Sequence, residues 1–138
     1  MSGKGHLEEA KKLYRKAMEE LERAKDKSDG FVLRDACGKG WLSAVEATYA
    51  LFAKKGVKEE ELPTGGDRGR RYMVHKLGGK EFEVAYHFLR NALHMEGYYD
   101  GTVEFEEAEG YLEYLDSYIH KVEELKGETE KQIQNSGP

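Results

Sequence analysis

The chain holds one cysteine, Cys37, and two prolines. A single thiol excludes an intrachain disulfide and any multi-cysteine zinc site. Scarce proline removes the commonest helix breaker. No apolar run approaches the roughly 18–20 residues that a membrane-spanning helix needs. The opening Met-Ser-Gly-Lys-Gly-His lacks the apolar stretch of a secretory signal. Positive charge is also in deficit: 22 Lys and Arg stand against 27 Asp and Glu, a net charge of −5. A uniformly basic nucleic-acid coat is therefore excluded. Together these absences lead us to expect a soluble, cytoplasmic protein in a reducing setting. The length of 138 residues suits one domain with a proper core.

What is present reads as helix almost throughout. From about Leu7 to Lys27, apolar residues recur at alternating spacings of three and four (Leu7, Ala10, Tyr14, Ala17, Leu21, Ala24), which makes one stripe on an amphipathic helix. Ser28-Asp29-Gly30 forms a turn and supplies a cap for the next helix. That helix is expected from about Phe31 to Lys55, with Gly56 as its stop. Gly38 and Gly40 each cost a helix about 1 kcal/mol relative to alanine. Two glycines in mid-helix therefore imply close approach by a neighbour, with Trp41 filling space beside them. Cys37 is expected as a small buried core residue.

Val57 to Gly66 reads as a connector, and Asp67 caps a short helix reaching about Leu77. Between Gly66 and Lys80 stand five basic residues (Arg68, Arg70, Arg71, Lys76, Lys80) and one acid, Asp67. This stretch has a surplus of four positive charges, and the rest of the chain carries −9. A further helix is expected from about Lys80 to Met95, a turn at Gly97-Tyr98-Tyr99-Asp100-Gly101, and a last helix from about Val103 to Lys126. Tyr111, Tyr114 and Tyr118 widen the apolar face of that last helix, which fits either a well-covered core helix or a second, intermolecular contact. The expected fold is all-α: an up-and-down bundle of four long helices plus one short helix over residues 1–126, with a polar tail over 127–138 that frays.

The candidate chemistry lies on the polar side of the Lys80–Met95 helix. Projected at 100° per residue, Glu83, His87, Arg90 and His94 form one stripe opposite the apolar one. Arg90 and His94 are four apart and so are neighbours on an α-helix. Arginine neutralises a phosphate bidentately, and histidine moves a proton near neutral pH. Glu83 and His87 lack a third ligand, so no metal site and no cofactor is expected. The basic stretch offers Arg68, Arg70, Arg71, His75 and Lys76 to an anionic partner.

The segment Leu89-Arg90-Asn91-Ala92-Leu93-His94, followed by Gly97-Tyr98-Tyr99-Asp100-Gly101 and a long acidic amphipathic helix, resembles the C-terminal half of HEPN domains. These are small helical bundles, similar to the substrate-binding subunits of nucleotidyltransferases. The helix Arg34-Asp35-Ala36-Cys37-Gly38-Lys39-Gly40-Trp41-Leu42-Ser43-Ala44-Val45-Glu46-Ala47-Thr48 resembles the archaeal PaREP branch of that superfamily. The resemblance covers about Leu7 to Leu125. It implies a homodimer that binds RNA or a nucleotide through a groove lined by arginine and histidine. Arg90 and His94, with Asn91 orienting one of them, would form the central site. Arg68, Arg70, Arg71, His75, Lys76, His87 and Tyr98 would be the ligand contacts. Two other activities are also implied for members of the family: metal-independent RNA cleavage of toxin type, and non-catalytic partnership with a nucleotidyltransferase in a toxin–antitoxin-like pair. Three residues separate Arg90 from His94, where the family's signature has at least four. That difference turns His94 by about 100° on a helix and favours binding over cleavage.

Overall fold

The structure, a computed structural model, describes residues 1–64 and 66–127. The described residues are all-helical, with no strand among them. Helix α1 spans Gly3–Lys27, α2 Gly30–Lys54, α3 Asp67–Met73, α4 Lys80–Leu89 and α5 Phe105–Glu124. A single 3₁₀ turn, Glu59–Glu61, interrupts the connector after α2. Two stretches carry on from α-helices with the wider i→i+5 hydrogen bonding of a π-helix. Val74–Gly78 prolongs α3, and Arg90–Asp100 prolongs α4. The expected tail lies outside the described residues, apart from Gly127.

Side-chain pairs give the helix directions. Along α1 and α2, His6 meets Glu46, Ser43 bonds the Ala10 carbonyl, and Lys39 meets Glu20, so the two run antiparallel. Lys11 with Glu123 and Lys25 with Glu109 make α1 and α5 antiparallel. Trp41 against His94 and Cys37 against Gly97 set the π-helical stretch antiparallel to α2. Phe82 against Tyr118 and Phe88 against Tyr111 do the same for α4 and α5. Four long helical rods thus run alternately up and down, with α3 as the short fifth piece.

Helix α2 is the central element, and thirteen of its residues are buried. Its mid-helix glycines serve close approach. A Cβ on Gly40 would stand 2.8 Å from Leu112 of α5 and 3.2 Å from Leu93. Cys37 is buried, and a Cβ on Gly97 would lie 2.7 Å from its Sγ. Gly97 is therefore a packing residue inside the helix, and the turn expected at 97–101 does not form. The chain stays helical to Asp100. Arg34 then caps it by donating from Nε to the Tyr98 carbonyl at 3.0 Å and from Nη2 to the Tyr99 carbonyl at 2.8 Å.

Helix α1 starts four residues earlier than the apolar stripe indicates, because Ser2 caps it by accepting from the Gly5 amide at 3.0 Å. The three tyrosines of α5 have separate fates. Tyr118 lies wholly inside and donates to Thr48 Oγ1 at 2.7 Å, while the Thr48 hydroxyl donates to the Ala44 carbonyl. It is a core residue and no part of an intermolecular face. Tyr111 and Tyr114 remain at the surface against Phe88, with ring centroids 5.5 and 4.4 Å away.

Candidate functional site

Asp67 opens α3 and is the one acid of the basic stretch. Its Oδ1 accepts from the Tyr86 hydroxyl at 2.5 Å, and its Oδ2 accepts from Arg90 Nε at 2.6 Å and Arg71 Nε at 2.8 Å. Arg70 closes the network from the other side. Its Nε donates to the Tyr86 hydroxyl at 3.3 Å and its Nη1 to the Tyr49 hydroxyl at 3.2 Å. Four segments thus meet in one network: α3, α4 through Tyr86 and the π-helical stretch through Arg90 at the carboxylate itself, and α2 through Tyr49 by way of Arg70. Two guanidiniums, Arg71 and Arg90, pair with the one carboxylate and Arg70 joins them through the Tyr86 hydroxyl, so the network of three arginines and one aspartate keeps a surplus of two positive charges.

The electrostatics follow from this packing. Burial pushes the Asp67 carboxyl up, but the hydrogen bonds from Tyr86 and Arg90 outweigh it and hold the group below the usual aspartate range. Burial, aided by Asp67, pushes the Tyr86 phenol well above its ordinary value, so its proton stays on the Asp67 bond. For Arg70, burial works against the charge, and the two tyrosine hydroxyls more than restore it.

Trp41 joins this cluster to a groove. It is 4% exposed, with its ring 5.5 Å from Tyr86 on one side and 5.2 Å from His94 on the other. The Trp41 and His94 planes lie within 21°, and Tyr98 continues the stack at 6.5 Å and 7° from His94. Tyr99 meets the edge of His94 at 4.9 Å. The groove has a volume of about 350 Å³, and Asp35, Gly38, Lys39 and Leu42 complete its lining. Tyr98 and Tyr99 are 43% and 58% exposed, so aromatic faces are open to a ligand. Among the described residues no cluster of His, Cys, Asp and Glu is arranged to hold a metal ion.

Burial lowers the basicity of His94, and the Arg90 charge lowers it further, with Asp67 opposing and Arg70 assisting. The ring is therefore neutral at neutral pH. In an NMR titration the midpoint of His94 is expected below the ordinary histidine value of 6.5. In an Asp67→Asn variant it should fall further, since the one opposing carboxylate is gone. A midpoint at or above 6.5 in the parent protein would contradict this placement.

The structure brings together five of the residues singled out from the sequence: Arg70, Arg71, Arg90, His94 and Tyr98. His87 is exposed and touches the cluster only edge-on through Tyr86, 5.9 Å away. Four others stand apart. Asn91 is exposed, and no hydrogen bond joins it to Arg90 or His94. Arg68 is exposed, His75 pairs with Glu83 at 2.6 Å, and Lys76 lies over the Tyr72 ring. The polar stripe of the Lys80–Met95 helix is also rearranged. Its two candidate residues turn into the protein, Arg90 onto Asp67 and His94 onto Trp41. For His94 the change from α- to π-helical bonding matters, because it takes more residues per turn than the 100° projection assumes; Arg90 itself still makes the α-helical bond to the Tyr86 carbonyl and reaches Asp67 with its long side chain. Sequence reasoning missed Tyr49 and Tyr86 and treated Asp67 as a cap and Trp41 as filler. A lone acid among five bases was the available signal for Asp67.

No family model, curated protein or solved structure matches the chain. The described residues form an all-helical unit with an arginine-rich network beside an aromatic groove. No helix of the described residues is long and apolar enough to cross a membrane.

Proposed function

We propose that the protein is a HEPN-like bundle that binds single-stranded RNA, or a nucleotide, across the groove and the arginine cluster. One observation carries this reading. An open aromatic stack, His94 with Tyr98 and Tyr99, adjoins an arginine network in which Arg90 and Arg70 act on His94 and one carboxylate is set against three guanidiniums. A base stacks on such rings for about 1–3 kcal/mol regardless of its identity, and the surplus charge receives the phosphate. Arg71 has the most accessible guanidinium in the network to offer, since only its Nε is engaged and its side chain is 44% exposed. Binding is favoured over cleavage because Asp67 already occupies Arg90 and Asn91 lies away from both partners. The reading requires neither the homodimer nor the nucleotidyltransferase partner that the resemblance implies.

Anisotropy of a dye-labelled single-stranded RNA tests this. Affinity is expected to fall as salt rises, with a log–log slope of about −0.7 per phosphate contacted. Arg71→Ala is expected to weaken binding and flatten that slope by roughly one contact. The RNA is expected to be recovered intact. Binding that ignores salt, or that Arg71→Ala leaves unchanged, would overturn the assignment.

A further inference from the structure

Asp35 and Lys39 stand four apart on α2 and so are neighbours on one face of it. Both line the groove with Trp41, His94 and Tyr98. The two cations nearest to Asp35 in the sequence are committed elsewhere. Arg34 donates from Nε and Nη2 to the carbonyls of Tyr98 and Tyr99, and Lys39 pairs with Glu20 of α1. Among the described residues no ion pair or hydrogen bond engages the Asp35 side chain. Asp35 is exposed, and it also lines the adjoining hollow that Phe31, Tyr98 and Tyr99 help to form. An unpaired carboxylate thus stands among open aromatic rings, with an ammonium one turn away.

Such a carboxylate repels phosphates, so the backbone of a bound strand keeps to the arginine network and a base edge meets Asp35. Single-stranded RNA leaves those edges free to be read. A carboxylate only accepts, and it does so through two oxygens. Of the RNA bases, guanine alone presents two adjacent donors on its Watson–Crick edge, N1–H and the N2 amino group, with the acceptor O6 beside them. Adenine, cytosine and uracil each present one donor there, next to an acceptor, and leave the second carboxylate oxygen unserved. An ammonium has three donors, so Lys39 serves O6 while it holds Glu20.

We infer that Asp35 is the specificity residue of the groove: it selects guanine by accepting from N1–H and the N2 amino group, while Lys39 donates to O6. The inference rests on the RNA-binding reading and names the base that the aromatic stack takes.

Short oligouridines carrying one guanosine, adenosine or inosine at the same position, competed against a dye-labelled RNA, provide the test. Inosine keeps O6 and N1–H and lacks the N2 amino group. The guanosine oligomer is expected to bind about tenfold more tightly than the adenosine one, the discrimination of one good bidentate contact, with inosine between them. Asp35→Asn puts a donating NH2 in place of one accepting oxygen and is expected to bring the guanosine-to-adenosine ratio close to one. Tyr98→Ala is expected to weaken all three oligomers and keep that ratio, because stacking ignores base identity. GMP is expected to displace the RNA better than AMP, and less well than the guanosine oligomer, which makes further contacts. GMP that competes as well as the oligomer would keep the guanine contact and assign it to a free nucleotide. RNA binding without a preference for guanosine, or a preference that survives Asp35→Asn, would overturn the guanine assignment and leave the RNA-binding reading standing. Asp35→Asn that strengthens all oligomers alike would show a carboxylate acting by charge alone and would overturn the assignment too. Failure of every oligomer to bind would overturn both.

Discussion

Replacing Trp41 with alanine is expected to destabilise the protein by about 3–5 kcal/mol, the usual cost of emptying a buried tryptophan site. Two structures lose their shared wall at once. Tyr86 loses the ring that positions its hydroxyl over Asp67, and His94 loses the face on which it stacks. Gly38 and Gly40 let neighbours approach α2 on either side, so the backbone there has little freedom to collapse into the space. Urea denaturation followed by circular dichroism measures the loss directly. Trp41→Phe keeps an aromatic ring at the same place and is expected to cost well under half as much. A Trp41→Ala cost below about 1 kcal/mol would contradict the burial assigned to this residue.

Removing the charge of Asp67 is the second large effect. Asp67→Asn removes the counter-charge of Arg71 and Arg90 and is expected to cost about 2–3 kcal/mol at neutral pH, below the range for fully buried pairs because the cluster is partly open. The pH dependence has a definite direction. The folded carboxyl titrates below its unfolded value, so its contribution is complete above the ordinary aspartate range and disappears as pH falls through the lowered value. The gap in stability between parent and Asp67→Asn is therefore expected to be widest near pH 7 and to close in strong acid. A gap that does not change with pH would show that the aspartate acts through shape alone.

Much of the fold was legible because helices of ordinary pitch write their packing into spacings of three and four. The stripe of α1 is read this way: Ala10, Ala17, Leu21 and Ala24 are buried, and Leu7 and Tyr14 pack partly exposed against the core. Gly40 announced the close approach of Leu93 and Leu112 because a glycine is costly in a helix without such a reason. The site was less legible because the chain changes pitch inside it. Arg90 begins a stretch bonded i→i+5, and a projection at 100° per residue fails beyond that position. Gly97 reads as a turn signal, but it lies inside the helix and is glycine because Cys37 leaves no room for a side chain. Asp67 and Tyr86 were hidden for another reason. Their partnership spans nineteen residues and two helices, and no local pattern reports it. His6 is a similar case. It pairs with Glu46 of α2 and Glu59 of the connector, while its own surroundings in sequence are polar and glycine-rich.

The central claim is that the stack of Trp41, His94 and Tyr98 is the floor of a binding groove. Trp41 is the chain's only tryptophan, so its emission reports on that floor without interference. Titrating the protein with a short single-stranded RNA at low salt is expected to change Trp41 emission saturably. Tyr98→Ala, which removes an exposed ring of the stack, is expected to weaken the response by about tenfold, the equivalent of one stacked base. RNA that binds with no change in Trp41 emission, or equally well without Tyr98, would contradict the claim and move the binding surface elsewhere.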